Sequence, residues 1–275
     1  GKAPEKPDPP EARPDHRRNL LDEFARLVID SDADGFVFEN VPALNTQRNR
    51  PVLQKMITKL KKAGFYIEED RCFASEFGVA QHRERIFVLG SKNSVPQRPK
   101  RSHWAKIPDE TLEAPRSVKE VCAPFQGPEF HEQETIVHPR ETYYKHLMEI
   151  SPGKNYKELT KWALYHERRV RAFRKAPFIA ERRYWNFLLV LDPDKPSWTI
   201  PAVYGSWNGP FHWRNTPSRF PRRRLRTTEI AAIQGFPSDY EIVGNWRAKV
   251  RQLGNAVPPA MAAAMITEVK KTLQK

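Results

Sequence analysis

The sequence predicts an α/β protein: part of a doubly wound sheet joined to a second, smaller and irregular domain. Three observations predict it. Short apolar runs suited to buried strands, Phe36-Val37-Phe38 and Ile86-Phe87-Val88-Leu89, alternate with helical periodicity over residues 17–95. Across residues 96–221 the periodicity weakens while prolines, aromatics and arginines accumulate. Helical patterning then returns over residues 222–275. Alternating helices and strands favour a wound sheet, because each strand needs a helix to cover its face.

Each element has its own warrant. Gly1 to His16 carries five prolines and many charges and reads as a flexible leader. Leu20, Leu21, Phe24, Leu27 and Val28 share helical spacing, which predicts a helix over 18–30. Asp32 to Gly35 is a turn, and the strand over 36–38 ends at Glu39-Asn40-Val41-Pro42. Pro51 suits a first helical turn, so a second helix is predicted over 51–62, stopped by Gly64. Phe65-Tyr66-Ile67 and Arg71-Cys72-Phe73 are strand material, and Arg85 to Gly90 is a clear strand. Thr227 to Gln234 reads as a short helix, with Thr227 as cap, Glu229 in the first turn and Gly235 closing it. After Pro258-Pro259, Met261, Met265, Val269 and Leu273 make one apolar stripe on a last helix.

Composition narrows the function. Among 275 residues, 47 Lys and Arg face 33 Asp and Glu, a formal charge of +14 that favours a polyanionic partner such as nucleic acid. The hydrophobic fraction of 39% excludes a wholly disordered chain. The apolar runs are too short for a membrane span. Two cysteines exclude a disulfide framework and a cysteine-rich zinc domain, so no metal site is expected. Reduced thiols and no signal peptide point to the cytoplasm, near the nucleoid if the source is bacterial. The chain starts at Gly1 rather than Met, which marks a processed product or a piece of something longer.

Three segments can carry chemistry. Glu39 ends a buried strand, where open α/β sheets bind ligands, and partial burial would help it hold a proton; it could equally cap the next turn. In Gln81-His82-Arg83-Glu84-Arg85 the two arginines fall on one face of a strand and suit phosphate or base oxygens. The plainer alternative is a solvated edge paired with Glu84 or Glu76. Gly254 and Asn255 in Gln252-Leu253-Gly254-Asn255-Ala256-Val257-Pro258-Pro259 allow a close backbone approach and offer an amide, or form an ordinary loop before a helix.

Together, in this order, these segments resemble the DNA cytosine-5-methyltransferase family. Its signatures are Arg18-Asn19-Leu20-Leu21, Glu39-Asn40-Val41, Gln81-x-Arg83-x-Arg85 and Gly254-Asn255-Ala256-Val257-Pro258-Pro259. Asp194 to Ile200 and Arg224 to Pro237 are similar to further family blocks, while Ala80 stands where the family usually has proline. The resemblance implies a Rossmann-like methyltransferase sheet and a target-recognition domain over 96–221. It implies double-stranded DNA as partner, S-adenosylmethionine as cofactor, and a cytosine flipped out of the duplex. A cysteine thiolate attacks ring carbon 6, and carbon 5 takes the methyl group. Glu39 would protonate the ring nitrogen, Arg85 hold the ring oxygen, and Arg83 brace the site or a phosphate. Asn40, Val41 and Gln81 would shape the substrate pocket, and Asn255, Ala256 and Val257 line the cofactor. Arg168, Arg169, Arg171, Arg174 and Lys175 form one basic cluster, and Arg219, Arg222, Arg223, Arg224 and Arg226 another. Of these, Arg168, Arg171, Arg222 and Arg224 are the candidate DNA contacts, while most of the interleaved Trp185, Trp198, Trp207 and Trp213 are expected in the core.

Two family parts are not in the sequence: the glycine-rich cofactor loop and the Pro-Cys loop with the nucleophile. Neither Cys72 nor Cys122 follows a proline, and both read as small buried hydrophobes. The Phe36 to Phe38 strand would then border a missing half of the sheet, leaving an apolar edge with unpaired backbone groups. The expectation is therefore a C-terminal portion of the enzyme, after the nucleophile loop, inactive alone. It would act with a complementary half, a separate subunit or upstream region, that holds most of the cofactor. A non-catalytic DNA-binding or regulatory methyltransferase-like subunit is the alternative.

Overall fold

A computed structural model describes residues 20–141, 143–159, 185–203, 207–213 and 222–274. The expected leader over 1–16, together with Arg168, Arg169, Arg171, Arg174, Lys175 and Arg219, lies outside the described residues. The chain divides into two compact units. One comprises 1–70, 86–98 and 267–275, the other 71–85 and 99–266. This differs from the sequence-based division at 95 and 221, since 71–85 and 222–266 pack within the second unit.

In the first unit, helix α1 (Leu20–Asp30) leads into strand β1 (Gly35–Asn40) through a turn in which Asp32 takes a φ of 48°. Phe36 and Phe38 are buried and alternate with half-buried Val37 and Glu39, as strand geometry demands. Helix α2 (Arg50–Lys62) follows and is stopped by Gly64, whose φ of 91° only glycine adopts readily. Leu21, Ala25 and Val28 of α1 and Leu53, Met56, Ile57 and Leu60 of α2 close one core with Phe36, Phe38, Ile86 and Val88. Phe24 sits edge-on to Phe36 at 5.7 Å between ring centroids.

Strand β2 (Tyr66–Phe73) is continuous where the sequence predicts two separate stretches. Its polar middle, Glu68-Glu69-Asp70, hides the alternation, but Glu69 is held by Arg50 and Glu68 by Arg98. Strands β3 (Gln81–His82) and β4 (Glu84–Ser91) follow. The three-stranded sheet has the order β1-β4-β2, with Asn40 opposite Ile86 and Gly35 opposite Ser91 in antiparallel register. A doubly wound sheet is mainly parallel, so β4 is an exception within it. The link over 74–83 is too short for a parallel crossover.

The second unit is helical and irregular. Helices α3 (Val118–Cys122) and α4 (Tyr144–Glu149) and the two-residue strand β5 (Ser197–Trp198) precede α5 (Thr227–Ile233), α6 (Trp246–Asn255) and α7 (Pro259–Leu273). The chain crosses between units within α7. Strand β5 pairs with β3 in parallel, His82 opposite Trp198. One core joins Val118, Val121 and Cys122 to Leu225, Ile230, Ile233, Val250 and Leu253. A separate core gathers Val137, Leu147, Ile150, Tyr156, Phe187, Leu188, Val190 and Phe211. Met261, Met265 and Val269 are buried as the stripe on the last helix predicts, whereas Leu273 at its end is exposed. No helix among the described residues is long and apolar enough to cross a membrane.

Two expectations at helix ends change. Arg226, not Thr227, occupies the cap position of α5, and Glu229 reaches back to accept from the Arg226 backbone N–H at 2.9 Å. Helix α6 runs into the stretch over 252–259 that could read as a loop, so Gly254 and Asn255 form its last turn. Asn245 caps that helix by accepting from Ala248 N at 3.0 Å. Trp246, Val250 and Leu253 carried the helical spacing that could have revealed it.

Candidate active site and the family it belongs to

Glu39 lies in the first unit, near the carboxyl end of β1. It sits opposite Phe87 in the register, on the face away from Phe36 and Phe38, and is half-buried. Asn40 accepts from the Val41 backbone N–H at 2.8 Å, which fixes the bend that ends the strand. Val41 is exposed.

Gln81, Arg83 and Arg85 belong to the second unit and are buried. The alternative of a solvated arginine edge fails: Glu84 pairs with Arg71 at 2.7 Å, and Glu76 accepts from Phe73 N at 2.6 Å. Arg83 falls between β3 and β4, so the two arginines do not share one strand. Arg83 is 2% exposed and donates from Nη2 to Gly254 O at 2.9 Å and from Nη1 to Ile200 O at 3.4 Å. Gln81 accepts from Ile200 N at 3.1 Å and donates to the Gln234 side chain at 3.0 Å. Gln234 in turn donates to Leu253 O at 2.6 Å. Arg85 donates to Glu84 O at 2.7 Å. Gln81 and Arg83 thus tie the end of α6 to the segment after β5, satisfying carbonyls that an irregular backbone leaves unpaired. Gln234 is a member of this network that sequence reasoning missed.

Gly254 completes the clamp by close approach. A Cβ there would lie 2.5 Å from Ala202 Cα and N and from Pro201 O, all backbone. Gly254→Ala is therefore expected to destabilise the fold by about 1–3 kcal/mol. Denaturant unfolding measures it, and an unchanged midpoint would show that segment yielding freely. Asn255 is exposed at the α6–α7 junction, beside half-buried Ala256 and Val257. An outward amide and two small apolar groups fit one wall of a cofactor pocket.

Of the candidate DNA contacts, the two described ones, Arg222 and Arg224, are engaged with backbone carbonyls. Arg222 is 2% exposed and donates from Nη2 to Ile150 O at 3.2 Å, with Nη1 on Trp213 O. Arg224 donates to Ile136 O at 3.1 Å. Both guanidiniums turn inward because the coil around them offers bare carbonyls. Of the tryptophans, Trp207 and Trp213 pack on the core, whereas Trp185 and Trp198 are 48% and 51% exposed.

Both cysteines are buried. Burial, with the Glu229 carboxylate adding to it, pushes the Cys122 thiol far above its ordinary range, and Arg223 only partly offsets this. Neither thiol of the folded chain should react with an aromatic disulfide reagent at neutral pH, while both should after denaturation. A rapidly labelled native thiol would contradict this.

The family profile of C-5 cytosine-specific DNA methylases matches residues 11–271. The chain belongs to that family. Among its curated relatives, Type II methyltransferase M.SacI of Streptomyces achromogenes is 32% identical over 94% of this chain and 65% of its own length. M.NgoFVII of Neisseria gonorrhoeae is 29% identical over 88% of this chain and 60% of its own. The chain thus spans 60–65% of the length of these relatives. Solved structures share the fold. A methyltransferase of Entamoeba histolytica gives a TM-score of 0.57 at 14% identity over 95% of this chain and 70% of its own. A variant of Spodoptera frugiperda DNMT2 gives 0.56 at 17% identity over all of this chain and 75% of its own. The α/β methyltransferase fold expected from the sequence is thereby shown for this family member.

Proposed function

We propose that this chain is the target-base and DNA-recognition part of a DNA cytosine-5-methyltransferase, acting with a complementary region that carries the cofactor loop and nucleophilic cysteine. The observation that carries the reading is the ordered set Glu39-Asn40, Gln81-x-Arg83-x-Arg85 and Gly254 to Pro259 within a family match over 11–271. The need for a complementary region has separate support. Both thiols are buried, so neither serves as nucleophile. Among the described residues β1 pairs only with β4, leaving its other side without a strand. Leu20 and Leu27, 60% and 57% exposed, project from α1 instead of joining its core.

In this reading Glu39 holds a proton on the ring nitrogen of a flipped cytosine, drawing off charge as ring carbon 6 is attacked. Arg85 holds the ring oxygen, and Arg83, occupied with two carbonyls, braces rather than touches the base. S-adenosylmethionine supplies the methyl group when bound. Asn255, Ala256 and Val257 contribute one wall of its pocket, and the complementary region contributes the rest. Methylation of double-stranded DNA follows from this reading.

The test is to combine the chain with the corresponding upstream region of a relative and assay methyl transfer to duplex DNA. Transfer that requires both pieces is expected. Efficient transfer by the chain alone would overturn the division of labour, and none with either arrangement would favour a non-catalytic DNA-binding subunit. Duplex binding should also weaken steeply with salt, because a chain of formal charge +14 displaces counterions. Arg222 and Arg224 face inward, so neutralising other basic groups should flatten the slope of log affinity against log salt. An affinity indifferent to salt would contradict DNA recognition.

A further inference from the structure

The second unit contains an open groove of about 1450 Å³, larger than the roughly 300–1,000 Å³ typical of small-ligand sites. Phe73, His82, Trp104, Trp185 and Trp198 supply its aromatic lining. Trp185 and Trp198 stand side by side, with ring centroids 5.9 Å apart and planes tilted by 50°. Both are held by their backbones. Trp185 O accepts from Asn155 Nδ2 at 2.7 Å, and Trp198 lies in β5 opposite His82. Two half-exposed indoles fixed at the wall of one groove are unusual, since each leaves apolar area in water.

Four acids and four lysines line the groove, and they differ in how they are paired. Its acids have local partners: Glu84 pairs with Arg71, Asp192 with Lys195 and Asp194 with Lys119, and Glu158 accepts from Ser151 N. Lys154 and Lys157 line the same groove and make no ion pair among the described residues. Lys106 lies over the Phe73 ring at 4.4 Å. Burial and the Lys106 charge hold His82 below its ordinary pKa, so it is neutral near pH 7. With Arg71 and Lys119 outside the lining engaging two of the acids, Lys106, Lys154 and Lys157 outnumber Glu158, the one lining acid held by a neutral N–H, and they flank the exposed aromatics.

We propose that this groove binds an unpaired stretch of DNA, with bases stacking on Trp185 and Trp198 and phosphates held by Lys106, Lys154 and Lys157. Stacking on fixed aromatics beside a basic track is how unpaired strands are held with little sequence preference. A duplex keeps its base faces covered and cannot use the indoles. The inference rests on the proposed function: an enzyme that opens a duplex to extract one base creates unpaired neighbours, and a site that holds them favours the opened state.

The test uses the full chain with labelled oligothymidylate and, separately, a blunt duplex of equal length. Trp198→Ala and Trp185→Ala should each weaken oligothymidylate binding roughly tenfold or more, at about 1–3 kcal/mol per stacked base. Trp198→Phe should keep most of the affinity, and duplex affinity should stay near the parent's. Oligothymidylate should quench the parent's tryptophan emission and shield it from acrylamide, a readout that needs no variant. Lys154→Gln with Lys157→Gln should lower the salt slope for the single strand. Equal losses on duplex and single strand would make the groove a duplex surface and overturn the proposal. Unchanged single-strand binding in both tryptophan variants, or no shielding in the parent, would overturn it while leaving the proposed function standing. A folded parent that binds neither DNA form removes both.

Discussion

Glu39→Gln is expected to lower methyl transfer by about 10²–10⁴-fold in the assembled enzyme while leaving DNA affinity and fold nearly unchanged. Gln keeps the size and one oxygen of Glu but cannot deliver a proton to the ring nitrogen. The substitution leaves the Phe36 and Phe38 packing in place, because Glu39 lies on the other face of β1. Register is carried by the backbone ladder, Glu39 to Phe87 and Asn40 to Ile86, and does not depend on the carboxylate. The loss should therefore fall on kcat rather than on the duplex dissociation constant. Single-turnover transfer of a labelled methyl group, with filter binding on the same preparation, measures both. Unchanged turnover would remove Glu39 from the chemistry, and a parallel loss of DNA binding would make it a contact residue instead.

The elements nearest Glu39 were the most legible in the sequence. Phe36, Phe38, Ile86 and Val88 are apolar because α1 and α2 cover that face of the sheet, and both helices carry uninterrupted helical spacing. Legibility failed where polar groups are satisfied by distant parts of the chain. The middle of β2 looked like a break because Glu68 and Glu69 are charged, yet Arg98 and Arg50 neutralise them. Arg222 and Arg224 looked like phosphate ligands because charge is what a sequence displays. Their actual partners are the backbone oxygens of Ile150 and Ile136, which no composition reveals. The same holds for Arg83, whose partner Gly254 lies far along the chain. Guanidinium groups in an irregular fold serve either as surface cations or as interior carbonyl clamps, and only the fold distinguishes the two.

Glu229→Gln should be the most damaging single change to the second unit, costing about 3–5 kcal/mol at neutral pH. Glu229 is fully buried and takes a two-pronged contact from Arg223, with both N···O distances at 2.8 Å. Gln126 Nε2 donates to it at 2.9 Å, Arg226 N–H at 2.9 Å, and His212 Nε2 lies 3.7 Å away, its ring stacked on Trp213. Burial acts first and would raise its pKa. The hydrogen bond and charge of Arg223, the His212 charge and the Arg226 N–H together outweigh burial and hold the pKa below the usual carboxylate value. A depressed pKa means the native state prefers the ionised form. The resulting stability is present above the unfolded-state pKa, near 4.5, and is lost as pH falls through the lower folded value. Gln supplies no charge, so Arg223 keeps its desolvation cost without its counter-charge. The melting temperature should fall by roughly 6–20 °C at pH 7. The gap between parent and variant should then narrow as pH drops below about 4.5, because the parent's carboxylate takes up the proton that Gln mimics. A gap of constant size down to acid pH would show that Glu229 acts through shape and hydrogen bonding, with its charge contributing nothing to the fold.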